Sequence, residues 1–375
     1  METRSMAQFG KDVSLLGFGC MRLPFVDEET QEIDFAAAQA MVDHALANGV
    51  NYFDTAFMYH RGNSEKFLGK ALAKHSRDSF FLADKLPIWN VKTPEDVDSL
   101  FAKQLDRCNV SFFDFYLAHS LNKKYYKIFQ QHGVYEKLRK MKEDGKITHL
   151  GFSFHDNAEM LERILIDYSW DFVQIQLNYI DWETCDAKSL YALLEKYKLP
   201  VVIMEPVRGG ALATLTDNAL GILKKANSEA SVASWAIRYA ASLPNVMTVL
   251  SGMSSMAQLE DNIKTMTPFR PLSEEEYAVI GQAAMAYMGA GSIPCTGCRY
   301  CLPCPSGVDI PRVFAMYNHY KANNNKIYFM NNYQSLRESE QAGNCTSCSA
   351  CVERCPQAIA IPEFMAEVAE VVAQK

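Results

Sequence analysis

Short apolar runs alternate with amphipathic segments over the first 285 residues of the chain. The amphipathic segments have helical periodicity, as in DFAAAQAMVDHALANG and TPEDVDSLFAKQLDRC. The apolar runs have the length of buried strands and occupy residues 15–20, 51–56, 79–85, 114–120, 148–154, 172–178, 201–206 and 246–252. Eight strands that each precede a helix, over about 270 residues, predict a (β/α)8 TIM barrel.

A doubly wound sheet is the alternative fold for strands and helices that alternate. Its fingerprint would be G-x-G-x-x-G directly after the first strand. The corresponding segment here is GFGCMRLP, which does not match. The pattern therefore favours the barrel.

The last ninety residues or so have a different pattern, which favours helices around a cysteine-rich segment. Apolar and aromatic residues at helical spacing are Val313, Met316, Tyr317, Tyr320, Tyr328, Tyr333 and Leu336. The closing IPEFMAEVAEVVAQK is a further amphipathic helix. Because 375 residues exceed the usual size of one hydrophobic core, we predict two domains, a barrel over 1–285 and a small, mostly helical domain over 286–375.

The composition narrows the possible partners and location. Hydrophobic residues make up 49% of the chain and charged residues 22%, and the net charge is −7. An acidic surface argues against nucleic acid and anionic membranes as partners. The sequence contains no run of about 18 apolar residues, the length that would indicate a membrane span. The N-terminus lacks the apolar core of a signal peptide. We expect a cytoplasmic protein with reduced thiols.

Eight of the 11 cysteines lie in two closely spaced groups. They are Cys295, Cys298, Cys301 and Cys304, and then Cys345, Cys348, Cys351 and Cys355. Three cysteines spaced C-x2-C-x2-C, followed by a Cys-Pro cysteine, are typical of proteins that bind two [4Fe–4S] clusters, in which the Cys-Pro cysteine ligates the other cluster. We therefore predict that Cys355 completes the first set and Cys304 completes the second.

Zinc and disulfides are the alternative interpretations of these cysteines. Zinc ribbons use paired C-x2-C units, so a third cysteine has no place in a tetrahedral site. Disulfides are disfavoured by a reducing compartment. The first group departs from the usual spacing, because two residues rather than three precede Cys304. This departure bears on the geometry of the second cluster.

Ionisable residues stand at the ends of three consecutive predicted strands. Asp54 ends the second strand and is followed by Tyr59, Lys85 ends the third, and His119 lies at the end of the fourth. The catalytic residues of TIM barrels lie at these strand ends. A lysine beside a tyrosine stabilises the phenolate, so the pKa of Tyr59 should fall toward the range useful for proton donation.

The segments DTAFMY, ADKLP and YLAHSL resemble the catalytic tetrad of the aldo-keto reductases, in the same order and at the same strand ends. The resemblance spans roughly residues 12–285. It implies that Tyr59 is the general acid, that Lys85 and Asp54 lower its pKa, and that His119 orients the substrate carbonyl. The helices between the two cysteine groups resemble the α-helical ferredoxin module of multi-subunit oxidoreductases.

The same resemblance implies a site for NADP(H) or NAD(H). Ser153 and Gln174 stand where the family holds the nicotinamide amide, whereas Phe154 replaces an asparagine found in many members. The resemblance also implies a pyrophosphate-binding site in the loop after the seventh strand, at Arg208, Gly209 and Gly210.

The loop SGMSSMAQLEDN resembles the family's adenosine site. The implied contacts are Ser251, Gly252, Gln258, Asp261 and Asn262. Gln258 stands where several members place an arginine for the 2′-phosphate, and a 2′-phosphate requires cations. NADPH is the usual cofactor of the family, whereas the uncharged Gln258 favours NADH. Both cofactors therefore remain open.

Four aromatic residues lie in loops that face the predicted mouth of the barrel. They are Phe57, Trp89, Tyr179 and Trp182. One interpretation is an aromatic wall for a small carbonyl or alcohol substrate, and the other is a set of buried anchors for the loops.

Three functions are compatible with a hydride-transfer barrel attached to one-electron clusters. In the first, the enzyme reduces an aldehyde or ketone, or oxidises the alcohol, and its clusters exchange electrons with a ferredoxin or flavoprotein. In the second, the clusters are structural or sense redox conditions. In the third, the barrel is vestigial and the protein only transfers electrons. The complete tetrad disfavours the third, and two clusters in relay favour the first.

Overall fold

The computed structural model describes residues 1–5, 9–27, 30–288, 293–323 and 325–374. Eight parallel strands form a closed barrel in which neighbours in the chain are neighbours in space. These strands are β1 Leu16–Gly19, β2 Tyr52–Asp54, β3 Phe81–Leu86, β4 Phe113–Leu121, β5 Ile147–Phe154, β6 Phe172–Gln176, β7 Val201–Met204 and β8 Val246–Gly252. The predicted (β/α)8 barrel is confirmed.

Two small antiparallel pairs accompany the barrel: Thr3–Arg4 with Val13–Ser14, and Phe25–Asp27 with Glu32–Ile33. Fifteen α-helices occur in the described residues. They are α1 Phe35–Ala47, α2 Asn63–Leu72, α3 Pro94–Cys108, α4 Lys123–Gln131, α5 Val134–Glu143, α6 Ala158–Asp167, α7 Asp181–Thr184, α8 Ala187–Lys196, α9 Asp217–Ala226, α10 Val232–Ala241, α11 Met256–Thr265, α12 Glu274–Met288, α13 Ile310–Asn323, α14 Lys326–Tyr333 and α15 Ile361–Ala373.

Local sequence signals fix where several of these helices begin. Thr93 and Asp96 form a capping box at the start of α3, with Pro94 in its first turn. Asn122 and Asn157 accept backbone N–H bonds at the starts of α4 and α6. Each of these caps follows the loop that leaves a barrel strand. They therefore fix the points at which the chain turns back from the carboxyl ends of the strands.

The chain forms two compact units. The barrel unit comprises residues 1–206 and 234–272, and the cysteine-rich unit comprises residues 207–233 and 273–375. The two units are interleaved along the chain, because residues 207–233 belong to the cysteine-rich unit. The predicted division after residue 285 stays a prediction. None of the helices in the described ranges is long and apolar enough to cross a membrane.

The cysteine-rich unit has a hydrophobic core of its own, built by the predicted helices. Buried residues of α13, α14 and α15 contribute to it. They include Val313, Phe314, Tyr317, Phe329, Tyr333, Met365 and Val368. Cys301 and Cys351 belong to the same core. The predicted helical tail is confirmed.

His149, near the start of β5, lies inside the barrel core. Its ring is 4.6 Å from the ring of Phe9 and 4.9 Å from that of Phe115, measured between centroids. Burial lowers the pKa of His149 to about 4. A histidine in the unfolded chain has a pKa near 6.5. Between these values only the unfolded chain binds the proton, so the stability of the folded barrel falls as the pH drops from about 6.5 to about 4.

We expect His149→Gln to flatten this pH dependence by up to about 1 kcal/mol per pH unit. The free energy of unfolding would be measured in urea by tryptophan fluorescence, because all four tryptophans lie in the barrel unit. His132→Gln, which alters a partly exposed histidine after α4, is the matched control. An unchanged slope in His149→Gln would contradict the assignment.

Candidate active site and iron–sulfur ligands

Lys85 and Asp54 form a buried ion pair at the ends of neighbouring strands. The Lys85 Nζ lies 2.6 Å from Asp54 Oδ1 and donates a second bond of 2.7 Å to the carbonyl oxygen of Thr55. Both side chains are almost completely buried. Burial raises the pKa of Asp54, and the Lys85 ammonium opposes that rise. The pair therefore fixes a cation at the end of β3.

Tyr59 lies in a short 3₁₀ turn between β2 and α2, in which His60 and Arg61 have left-handed backbone angles. The Lys85 Nζ donates to the Tyr59 hydroxyl over 3.4 Å, and it lies 4.9 Å from the centroid of the phenol ring. Tyr59 is 9% exposed. One face of the phenol ring is thus turned toward the buried Lys85 ammonium, and a small part of the Tyr59 side chain remains exposed to solvent.

A bulge near the end of β4 positions His119. The pairing of β4 with β5 shifts between Ala118 and Leu121, and Ser120 has a φ of 58°. The Ser120 N–H donates to Ser153 Oγ over 2.7 Å, which holds the bulge. The His119 ring lies 6.4 Å from that of Tyr59 and is nearly perpendicular to it.

The electrostatics of the site keep His119 neutral. Burial lowers the pKa of His119 well below its usual value, and the nearby Lys85 ammonium lowers it further. A neutral imidazole has one N–H donor and one acceptor nitrogen. The structure therefore brings the four predicted tetrad residues together, with a neutral histidine beside a tyrosine, a lysine and an aspartate.

Ser153 and Gln174, the residues predicted for the nicotinamide amide, are paired in register on β5 and β6. Ser153 already accepts the bond from Ser120. The Gln174 amide nitrogen donates to Met204 Sδ over 3.5 Å, whereas its buried carbonyl oxygen has no hydrogen-bond partner among the described residues. A buried amide oxygen that lacks a partner fits a site for an N–H donor of a ligand.

The residues predicted for the adenosine site lie at the end of β8 and on α11. Asn262 donates to Ser251 Oγ over 2.8 Å, and both are buried. The Gln258 side-chain oxygen accepts from the Ser254 N–H over 2.7 Å. Asp261 is half-buried on α11 and Gly252 is exposed at the end of β8.

Arg22 is a cation at this loop that the sequence analysis missed. A Cβ atom at Gly252 would lie 3.2 Å from Arg22 side-chain carbons, and the Arg22 carbonyl accepts from Ser254 Oγ over 2.7 Å. Its guanidinium lies 3.9 Å from Glu205 Oε1. The available signal was the basic residue directly after the first strand, in GFGCMRLP.

Arg208, Gly209 and Gly210 belong to the cysteine-rich unit. They open the 3₁₀ segment Arg208–Ala213, in which Gly209 and Gly210 have φ values of 64° and 97°. Such left-handed backbone is easily adopted only by glycine. Arg208 is buried.

The four loop aromatics divide into two groups. Trp89 packs 4.9 Å from the His119 ring, so it lies beside the tetrad. Phe57 lies under the Arg107 guanidinium at 4.5 Å. Tyr179 and Trp182 both pack on Tyr239, at 6.0 and 6.1 Å. Trp89 fits the aromatic-wall interpretation, whereas the other three fit that of loop anchors.

The eight late cysteines line two separate cavities in the cysteine-rich unit. One cavity, of about 310 Å³, is lined by Cys295, Cys298, Cys301 and Cys355. The other, of about 330 Å³, is lined by Cys304, Cys345, Cys348 and Cys351. Both volumes include space open to solvent, and Ile310 borders both cavities. Each cavity thus has three cysteines of one group and the Cys-Pro cysteine of the other.

The two cysteine loops repeat one backbone conformation. Gly297 and Arg299 in the first loop, and Ser347 and Ser349 in the second, all have φ between 53° and 65°. The left-handed residues alternate with the cysteines, so each loop curls around its cavity. The Gly297 N–H donates to Cys295 Sγ over 3.4 Å. The shorter spacing before Cys304 does not remove this cysteine from the second cavity.

The donor set fits a cluster better than a single ion. Zinc would bring its sulfurs to about 2.3 Å from a single point, whereas four cysteines hold a [4Fe–4S] cluster of several atoms. Four thiols that line one cavity fit the cluster.

Two family models match the chain in its two parts. The aldo/keto reductase family model matches residues 15–284, and the 4Fe-4S dicluster domain model matches residues 294–360. The chain therefore belongs to the aldo/keto reductase family and is an oxidoreductase with a C-terminal 4Fe-4S dicluster domain.

Named relatives share the reductase part. The uncharacterized oxidoreductase YqkF of Bacillus subtilis is 23% identical over 312 residues, which is 74% of this chain and 94% of that protein. The methylglyoxal reductase YeaE of Escherichia coli is 25% identical over 76% of this chain and 97% of its own length. An aldo-keto reductase from Klebsiella pneumoniae, solved in complex with NADPH, has the same fold, with a TM-score of 0.60, 22% identity, and coverage of 75% of this chain and 95% of that one.

Proposed function

We propose that the protein reduces a small aldehyde or ketone with NADPH or NADH, or catalyses the reverse oxidation, and that two [4Fe–4S] clusters exchange electrons with a ferredoxin or flavoprotein. The observation that carries the carbonyl chemistry is the Lys85 ammonium, which contacts Asp54 and the Tyr59 hydroxyl beside a neutral His119. The proposed domains are the barrel over 1–285 and the dicluster domain over 286–375. The need for reduced cysteine ligands supports a cytoplasmic location.

In the proposed reaction Tyr59 gives its phenolic proton to the carbonyl oxygen. The reduced nicotinamide, when bound, supplies the hydride that reaches the carbonyl carbon. The phenolate left on Tyr59 faces the Lys85 ammonium, which Asp54 holds in place at 2.6 Å. His119 remains neutral and orients the carbonyl oxygen through its N–H, and Trp89 covers the adjacent side.

The proposed nicotinamide contacts are Ser153 and Gln174, and the free Gln174 amide oxygen suits an N–H donor of the cofactor amide. Arg208, Gly209 and Gly210 are proposed for the pyrophosphate, and Ser251, Gly252, Gln258, Asp261 and Asn262 for the adenosine. The Klebsiella relative bound to NADPH supports the phosphorylated cofactor. Gln258 supports NADH, because its side-chain oxygen is bonded to the loop and it brings no charge.

The proposed cluster ligands are the two sets of four cysteines that line the two cavities. A structural role for the clusters is the second candidate, and a specific observation favours it. Cys301 and Cys351 belong to the hydrophobic core of their unit, and Ile310 borders both cavities. Clusters in these positions would complete that core.

Anaerobically purified protein should contain about eight iron and eight sulfide per chain. After reduction with dithionite and removal of the excess, the clusters should reduce an added oxidised flavodoxin, measured as semiquinone absorbance. Heat-treated, cluster-free protein is the control. Stoichiometric zinc in place of iron would contradict the cluster proposal. Full iron without electron transfer to flavodoxin or ferredoxin would favour the structural role.

A further inference from the structure

Glu65 is a completely buried carboxylate on α2, the helix that follows the Tyr59 turn. The proposed proton transfer does not use it. Burying an ionised carboxylate is costly unless every oxygen is paired. The Asp84 carboxyl on β3 is a titratable neighbour that hydrogen-bonds to Glu65, and burial together with the Glu65 charge raises the pKa of Asp84 well above its usual value. The other bonds of the two Glu65 oxygens run in two different directions, and each direction leads to one of the proposed tetrad residues.

The first direction leads to the strand that carries Lys85. Glu65 Oε1 accepts from the Gln104 amide nitrogen over 3.0 Å. The same nitrogen donates to the backbone carbonyl oxygen of Lys85, also over 3.0 Å. The Gln104 carbonyl oxygen accepts from the Tyr116 hydroxyl over 2.6 Å, which fixes the orientation of the amide. Lys85 is therefore bonded at its backbone as well as at its ammonium.

The second direction leads to the loop that carries Tyr59. Glu65 Oε2 lies 2.6 Å from an Arg107 guanidinium nitrogen. The same nitrogen donates to the carbonyl oxygen of Phe57 over 3.4 Å, and the guanidinium covers the Phe57 ring at 4.5 Å. Phe57 precedes Tyr59 by two residues, so Arg107 holds the entry to the Tyr59 turn.

Close packing leaves this arrangement little freedom. A Cβ atom at Gly62, which ends the Tyr59 turn, would lie 3.3 Å from the Arg107 guanidinium nitrogens. A Cβ atom at Gly69 would lie 2.6 Å from the Arg107 carbonyl oxygen, so α2 and α3 are in backbone contact there. The guanidinium therefore packs directly against the backbone of the turn.

We propose that Glu65 is a positioning residue that sets the distance between the Tyr59 hydroxyl and the Lys85 ammonium. One carboxylate links the Lys85 strand, through Gln104, to the Tyr59 loop, through Arg107. Loss of the carboxylate charge would remove the ionic partner of Arg107 and loosen its hold on the turn. This inference rests on the proposed role of Tyr59 as general acid.

The test compares Glu65→Gln with wild type in carbonyl reduction by saturating NADPH, with methylglyoxal as the probe. We expect kcat to fall by about 10- to 100-fold, because small misplacements of reacting groups have effects of this size. The alkaline limb of the kcat profile should move to higher pH, because a more distant ammonium stabilises the phenolate less. The KM for the cofactor should not change.

Asp114→Asn is the matched control. Asp114 is a mostly buried carboxylate that pairs with Arg77 at 2.6 Å and accepts the Leu82 N–H, at the opposite end of the strands from the tetrad. It should lower stability without moving the pH profile. Gln104→Met, which cuts only the link to Lys85, tests the proposal if Glu65→Gln does not fold. Equal loss of stability in Glu65→Gln and Asp114→Asn, with kcat and pH profile unchanged in both, would overturn the positioning role. Full activity of Tyr59→Phe would instead overturn the proposed function.

Discussion

Tyr59→Phe is expected to lower kcat/KM for carbonyl reduction by about 10²- to 10⁴-fold, the usual contribution of a positioned general acid. The substitution removes the hydroxyl that contacts the Lys85 ammonium and retains the ring that packs beside His119. Lys85 keeps its bonds to Asp54 and Thr55, so the buried pair should remain intact. Cofactor binding should therefore be unaffected.

Two measurements separate this result from a loss of structure. Quenching of protein fluorescence by NADPH gives the dissociation constant of the cofactor, which should match that of wild type. Tyr52→Phe is the matched control, because Tyr52 is a completely buried tyrosine on β2 whose hydroxyl lacks a hydrogen-bond partner among the described residues. Unchanged turnover in Tyr59→Phe would remove Tyr59 as the proton donor.

The barrel could be predicted from the sequence because its strands are buried on both faces. In β3 and β8 nearly every residue is buried, which gives continuous apolar runs between polar helices. The convergence of the four residues predicted as a tetrad could be predicted for a related reason. Polar residues that interrupt such runs, as Lys85 and Asp54 do, stand at the carboxyl ends of the strands, where the catalytic residues of TIM barrels lie.

Features that depend on contacts between distant segments could not be predicted from the sequence. The bulge that positions His119 depends on a bond from Ser120 to Ser153 on the next strand. Arg22 lies against Gly252, which is far from it in the sequence. Neither contact leaves a periodic signal. The roles of the loop aromatics were open for the same reason, since only tertiary packing separates Trp89, beside His119, from the other three.

The combination of helices with two cysteine loops could be predicted from the sequence, because the spacing of the cysteines is typical of cluster-binding loops. The residues of these loops that have left-handed backbone angles were harder to predict. Gly297 is an expected residue for positive φ, whereas Arg299 and Ser349 are not. Their conformation follows from the need to curl each loop around its cavity. This constraint belongs to the cluster site rather than to local propensity.

The chemistry of the two parts differs in electron count. A nicotinamide transfers a hydride, which carries two electrons, whereas a [4Fe–4S] cluster normally transfers one. Exchange between the two parts would therefore need a carrier that accepts a hydride and releases single electrons, which is the chemistry of a flavin. The flavoprotein partner of the proposed function would supply that carrier.

Single substitutions of the Cys-Pro cysteines are expected to remove half of the bound iron and sulfide. Cys355→Ala should abolish the cluster of the cavity lined by Cys295, Cys298 and Cys301, and Cys304→Ala should abolish the other. Each variant should retain about four iron per chain. Cys185→Ala, which alters an exposed cysteine outside both groups, is the control and should retain all the iron.

Double substitutions test the crossed arrangement itself, because the loss of iron is not additive when two ligands serve one cluster. If Cys355 and Cys295 share a cluster, the variant lacking both should lose no more iron than either single variant. The variant lacking Cys355 and Cys345 should lose nearly all of it, because these residues line different cavities. An uncrossed arrangement reverses the two outcomes, since Cys355 would then share a cluster with Cys345. Iron and acid-labile sulfide, measured on anaerobically purified protein, therefore distinguish the two arrangements without reference to catalytic activity.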